Sequence, residues 1–350
     1  MYPAIVSAKG VIGGLLSGRL STALHLGTIY PRFSKNTKSF YKLFEALVVV
    51  TLATAVTMSL ISMGFGILFW GINVEDFTAI LSVVTATMAI GLSLTLLTTK
   101  VAFVSFKKGL DPDIVVYPIM STTADIFVTL CYVLILNLFF FADFGTWVVT
   151  LIALAFLLFF LYILPRNLHE PEFLKTVKES LATMVFVAFI VNVTGTVLRG
   201  ISEVVENRKE IYTVYPALID MVGDVGSVVG STATTKLALG LLKPSFSSIR
   251  NHAKTILSAW SASIVLFIVL AIASLFLNGK FSLPALSNLL VILLAANLIS
   301  VGVIVLVSYG ISILTFKRGL DPDNFVIPIE SSLADSVTSI ALLVVLLLVG

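Results

Sequence analysis

Ten runs of apolar residues, at 2–29, 41–70, 78–104, 114–141, 145–164, 176–202, 215–242, 255–277, 284–314 and 326–349, occupy nearly the whole 350-residue chain. A helix that crosses a bilayer needs about 20 apolar residues, so each run predicts a membrane-spanning helix. A transmembrane barrel would show segments of about ten residues with alternating polarity, and these runs do not alternate. The fold class expected is an all-α polytopic membrane protein. Hydrophobic residues make up 58% of the chain and charged residues 12%, against about 25% charged in a soluble domain. The connections are too short for an attached catalytic or nucleotide-binding domain. A lone Cys131 excludes a disulfide framework and a cysteine-based metal cluster, and His25, His169 and His252 are scattered. Lys9 and Arg19 interrupt the first run, so no cleavable leader is expected.

The loop charges orient the helices. One set of alternate loops holds 15 Lys and Arg, among them Arg32, Lys35, Lys107, Lys108, Arg166, Lys243, Lys317 and Arg318, while the other set holds 3, Arg208, Lys209 and Lys280. Basic loops stay in the cytoplasm, which predicts both termini at the outer side of a plasma membrane. The net charge of +3 therefore speaks of topology; no nucleic-acid partner is expected.

Internal repetition is the most informative pattern. Residues 105–128 align without gaps to 315–338 with 13 identities in 24, including Gly-Leu-Asp-Pro-Asp, a later Pro and Ala-Asp. Residues 2–27 align more weakly to 215–240, with 9 identities in 26. The expected organisation is a first repeat over 1–142, a linker helix and cytoplasmic loop over 143–173, and a second repeat over 174–350. Five spans separate the first helices of the two copies, so the copies run parallel, as a pseudo-dimer within one chain. Whether two such chains pair as a homodimer stays open.

The chemistry is read from charge placed in hydrocarbon, which costs roughly 2.5–3.5 kcal/mol for an ionisable side chain at a helix centre. Asp125 and Asp335 each come 12 residues after the last Asp of their own DPD motif, or about 18 Å at 1.5 Å per residue. That places them at mid-membrane. Two carboxylates at equivalent positions repel unless a cation sits between them. Ser121, Thr122, Ser331 and Ser332 add hydroxyls, and Pro118 and Pro328 free backbone carbonyls. An all-oxygen donor set favours Mg²⁺, Ca²⁺ or Mn²⁺ over Zn²⁺. The alternative is a structural pair of protonated or Ser-bonded aspartates.

Asp220 and Asp224 lie four apart, on one face of their helix, where the first copy has Ser7 and Val11, with Lys9 nearby. They read either as an acidic outer mouth or, for Asp224, as a partner of Arg199 or Lys236. Glu330, whose twin is Met120, is a weaker ligand candidate. Gly10, Gly13 and Gly14, and Gly223, Gly226 and Gly230, form small-residue stripes for close helix packing. Asp111, Asp113, Asp321 and Asp323 are expected to cap helices that start on Pro, or else to form a cytoplasmic exit site. The candidate metal ligands are thus Asp125, Asp335, Asp224, Asp220, Ser121, Ser331 and Ser332, with no resident cofactor, and the partners are a divalent cation and the lipid bilayer.

The run Asp321-Pro322-Asp323-Asn324, Pro328, Ser332-Leu333-Ala334-Asp335, with its twin Asp111-Pro112-Asp113, Pro118 and Ala124-Asp125, resembles the last membrane helix of the MgtE magnesium transporters and solute carrier family 41. Pro3 to Gly10 with Arg19-Leu20-Ser21-Thr22, and Pro216 to Gly223, resemble that family's second helix. Val11 and Asp224 stand where the family has Asn. The resemblance implies Mg²⁺ transport through a pore between the repeats, a first repeat lacking the family's first helix, and no cytoplasmic regulatory module of the bacterial kind. The residues by themselves also admit a proton- or sodium-coupled carrier of another solute. An intramembrane enzyme is disfavoured, because no HExxH, GxSxG or nucleotide motif is present.

Overall fold

The computed structural model describes residues 2–71, 73–205 and 208–349, with side chains described except at 2–4, 6–7, 69–70 and 192–205. Its regular structure is helical throughout: α1 Tyr2–His25, α2 Lys38–Trp70, α3 Phe77–Gly91, α4 Leu94–Lys107, α5 Pro112–Phe141, α6 Asp143–Asn167, α7 Pro171–Val205, α8 Lys209–Ala238, α9 Ile249–Leu277, α10 Leu283–Lys317 and α11 Val326–Val349. The ten apolar runs reappear as helices with one correction, since 78–104 is two helices. The chain tightens at Gly91 to Ser93, where Ser93 N–H donates to Ile90 O (3.0 Å) and Thr95 N–H to Leu92 O (3.0 Å). Glycine is a weak helix former, and Val128 lies 3.6 Å from where a Cβ on Gly91 would stand. The two pieces still form one apolar rod, Val74–Lys107.

Seven rods are long and apolar enough to cross a membrane among the described residues. The chain is a multi-pass membrane protein. α8 is not among the seven, because Asp220, Asp224 and Lys236 lower its hydropathy while nearly all of Val222 to Leu237 is buried. A polar helix survives in an apolar protein when neighbours cover it, and α9 and α10 do so here.

The chain divides into two compact units, Met1–Asn192 with Asp323–Ile329, and Val193–Pro322 with Glu330–Gly350. In the first, α1 packs against α2, α4 and α5 around Leu15, Leu16, Leu20 and Leu47. In the second, α8, α9 and α10 pack together around Leu218, Phe267, Leu293 and Tyr309.

The repeated Lys-[Lys/Arg]-Gly-Leu-Asp-Pro-Asp run ends a helix in the same way in both units. Gly109 (φ 73°) and Gly319 (φ 70°) adopt the left-handed conformation, and Leu110 N–H reaches back to Ser105 O (3.0 Å) as Leu320 N–H does to Thr315 O (3.1 Å). This is the usual glycine stop of a helix. Beyond the stop the two copies part. Asp111 caps α5 by accepting from Asp113 N–H (3.0 Å), with Pro112 in the first turn, as the sequence predicts. In the second copy Pro322–Asn324 is a short 3₁₀ turn and α11 begins only at Val326.

Candidate functional site

Asp125 sits on α5, half-buried, and its carboxylate accepts from the Lys9 ammonium of α1 in an ion pair. Lys9 also donates to Ser121 O at 3.0 Å. Its side chain is only 11% exposed, and it lines a cavity with Thr95, Thr98, Tyr117, Met120 and Ser121. The Ser121 hydroxyl donates to Pro118 O (3.2 Å), within a helix that runs on through that proline. The predicted ligand of the first repeat is therefore already neutralised from inside the protein. The sequence placed Lys9 near Ser7 and Val11 on the first helix; only the α1–α5 packing puts it on the Asp125 carboxylate. Ser7, the first-copy counterpart of Asp220, lies outside the described side chains.

The corresponding region of the second unit carries acid without a lysine at the matching place, which is the fully buried Val222. Asp224 is buried on α8, Glu330 is fully buried on α11, and both Asp224 and Asp335 lie within electrostatic reach of Glu330. Ser227 donates to Glu330 Oε1, while Glu330 Oε2 is buried with no hydrogen-bond partner. That oxygen points at Gly226, where an added Cβ would collide with it and with Ile304 Cγ2. The stripe of small residues on α8 thus makes room for a carboxylate as well as for helix packing. Ser332 is buried, whereas Ser331, Asp335 and Asp220 are half-buried. Tyr215 and Ser339 share a hydrogen bond one helical segment away, between α8 and α11.

Lys236 does not serve Asp224. Its ammonium donates to His252 Nδ1 (3.2 Å) and Thr255 (3.1 Å), and His252 Nε2 lies 3.1 Å from Val229 O, the arrangement of a neutral imidazole that donates at Nε2 and accepts at Nδ1. The other suggested partner, Arg199, lies outside the described side chains.

Two further clusters come from the DPD motifs. His25, at the end of α1, meets Asp111 and Asp113 with ligand atoms all within 4.8 Å of one another. Its Nδ1 is 2.9 Å from Ser21 O and its Nε2 3.7 Å from Asp111. The histidines are scattered from one another, but this one finds carboxylates, a contact without any signature in the spacing. In the second copy, Asp323 and the fully buried Asn324 belong to the first unit, where Asn324 accepts from Arg19 (3.1 Å), donates to Glu179 (2.7 Å), and offers its carbonyl to Thr183 (3.1 Å). An added Cβ on Gly18 would stand 3.0 Å from Asp323 Oδ1. Asn324 is therefore a buried structural hub.

The sequence profile of the MgtE family, described as divalent cation transporter, matches residues 2–135 and 215–345. Solute carrier family 41 member 3 of Rattus norvegicus is 24% identical over 366 aligned residues, covering 96% of this chain and 76% of the relative. The protein of the same name from Mus musculus is also 24% identical, with 96% and 72% covered. No solved structure gives a significant match.

Proposed function

The chain belongs to the MgtE family of divalent cation transporters, and from that membership we propose that it carries Mg²⁺ across a plasma membrane along a path lined by Asp125 and Asp335. The family is one of transporters, not of enzymes, and matches the chain in two segments, which supports an internal repeat. Parallel repeats over 1–142 and 174–350, joined through 143–173, are part of the proposal.

The observation that carries the ion assignment is the concentration of carboxylate in the second unit, where Asp224 and Asp335 both lie within electrostatic reach of the buried Glu330. Clustered carboxylates repel one another in a low-dielectric interior, and a divalent cation relieves that repulsion where a monovalent ion does so by half. Asp220, one turn before Asp224, adds to the attraction. Ser121, Ser331 and Ser332 suit hydrogen bonding to a water shell better than replacing it. Mg²⁺ gives up water reluctantly and is usually held by one or two carboxylates with waters retained. The ion therefore passes largely hydrated. Entry needs no coupled reaction, since moving two charges through 100 mV is worth about 4.6 kcal/mol.

Purified protein in liposomes loaded with a Mg²⁺-sensitive dye tests this. Mg²⁺ influx that tracks an imposed negative potential and is competed by hexamminecobalt(III), which cannot shed its ligands, is the expected result. Failure of hexamminecobalt to compete, together with ligand distances of bare-ion coordination, would refute the hydrated-ion mechanism.

A further inference from the structure

We propose that Lys9 is a tethered cation that holds the Asp125 carboxylate in place of a transported ion, so that the two repeats load ions unequally. The inference rests on Asp125 lying on the ion path.

The geometry carries it. The Lys9 ammonium is held at two points, the Asp125 carboxylate of α5 and Ser121 O, and Lys9 lines one cavity together with Gly10, Gly13, Met120 and Ala124. Its side chain is 11% exposed and that of Asp125 37%. A lysine this withdrawn in a membrane protein stays charged only with a partner, and Asp125 is the acidic group bonded to it among the described residues. The same place in the second unit is a buried valine, Val222, on an α8 that carries Asp224 and faces Glu330. The two halves therefore differ by Lys9 in one and by Asp220, Asp224 and Glu330 in the other. A repeat built to bind a divalent ion has been given its counter-charge by the chain itself.

A cation approaching Asp125 meets three different situations. With Lys9 in place the carboxylate is half of a neutral pair and binds a divalent ion weakly. Removing the carboxylate alone leaves an ammonium on the path, and a positive charge a few ångströms away opposes a divalent cation by a factor of about ten or more at the effective dielectric of a protein. Removing the ammonium alone opens a second acidic position. Lys9 thus limits how many divalent ions the path holds and keeps the affinity of the first half low.

The protein in dye-loaded liposomes decides the matter with five variants, each first shown to be monodisperse in detergent. Asp125→Asn is expected to lower Mg²⁺ influx about tenfold or more. Lys9→Met with Asp125→Asn should restore influx to within about threefold of the unmodified protein, because the pair is removed as a neutral unit. Lys9→Met alone should lower the half-saturating Mg²⁺ concentration about tenfold, and Lys9→Arg should not. Should the double variant conduct as poorly as Asp125→Asn and Lys9→Met leave half-saturation unchanged, the tethered-cation role is overturned. Rescue of stability alone, with unchanged concentration dependence, would likewise overturn it by making the pair structural. Asp335→Asn separates this failure from that of the function on which it rests: wild-type influx in that variant removes the proposed path itself, whatever Lys9 does.

Discussion

Asp125 and Asp335 occupy the same position of two copies of one motif, yet their neighbours differ. Asp125 is paired with the Lys9 ammonium, whereas Asp335 has the buried Glu330 within electrostatic reach. Two copies that began alike need not stay alike once they are fused, because each can then change without its twin. A homodimer has no such freedom, since every charge placed on one side appears on the other. The comparison teaches that repeat symmetry carries a residue type to a matching place, but does not set which charges stand beside it.

The largest effect expected from breaking that comparison is loss of transport when the acidic half is neutralised. Asp335→Ala should reduce Mg²⁺ influx to the level of empty liposomes while the purified protein stays folded. Unfolding in both Asp335→Ala and Asp125→Ala would instead assign the aspartates to helix packing.

A stability difference should come next, at two glycines that are each other's twin. An added Cβ at Gly226 would collide with Glu330 Oε2 and Ile304 Cγ2, whereas nothing lies within 4 Å of one at Gly13. Overpacking costs about 1–3 kcal/mol, so Gly226→Ala should lower the melting temperature in detergent and Gly13→Ala should leave it unchanged or raise it slightly. Equal melting temperatures for the two variants would contradict the packing described for α8 and α11.

Glu330→Met makes the second unit resemble the first, where Met120 is the twin. The buried oxygen without a partner disappears, so the fold is expected to hold, and half-saturation for Mg²⁺ should rise several-fold as one acidic group leaves the neighbourhood of Asp335. Unchanged half-saturation would show that Glu330 does not act on the ion.

The smallest effect is a pH dependence far from the carboxylate cluster. Burial pushes the Glu210 carboxyl up, but the hydrogen bond from Lys280 and the nearby positive charge outweigh it and leave the carboxyl below its ordinary 4.5. The ammonium is 2.9 Å away. A depressed carboxyl stabilises the fold above the ordinary value and loses that contribution as the pH falls through the depressed one, here below pH 4.5. Lys280→Met should remove less than about 1 kcal/mol at neutral pH and flatten the melting temperature below that pH. An identical acid profile in both proteins would show the pair to be inert.

Much of the fold is legible in the chain because hydrocarbon leaves so few options. Long apolar runs must be helices, and the glycine stops at Gly109 and Gly319 and the Asp111 cap arise from local backbone chemistry. The break at Gly91 to Ser93 was not legible, since a single glycine within an apolar run is often tolerated in a helix. Charges also have to be explained wherever they interrupt an apolar run, which is why Asp125, Asp335, Asp224 and Glu330 could be singled out from sequence alone.

What the tertiary structure decided is which charges meet. Lys9 and Asp125 are 116 residues apart and Asn324 and Glu179 145, and no periodicity encodes such pairs. Lys236 follows Asp224 by 12 residues on α8, about 18 Å along the axis at 1.5 Å per residue and beyond that carboxylate's reach, and it is the packing of α9 that sets His252 and Thr255 on its ammonium. His25 reads as isolated until the end of α1 meets the start of α5. Sequence determines that a membrane helix carries a charge, because the cost of burying it arises locally; the partner that offsets this cost is chosen by helix packing, which acts between residues far apart in the chain.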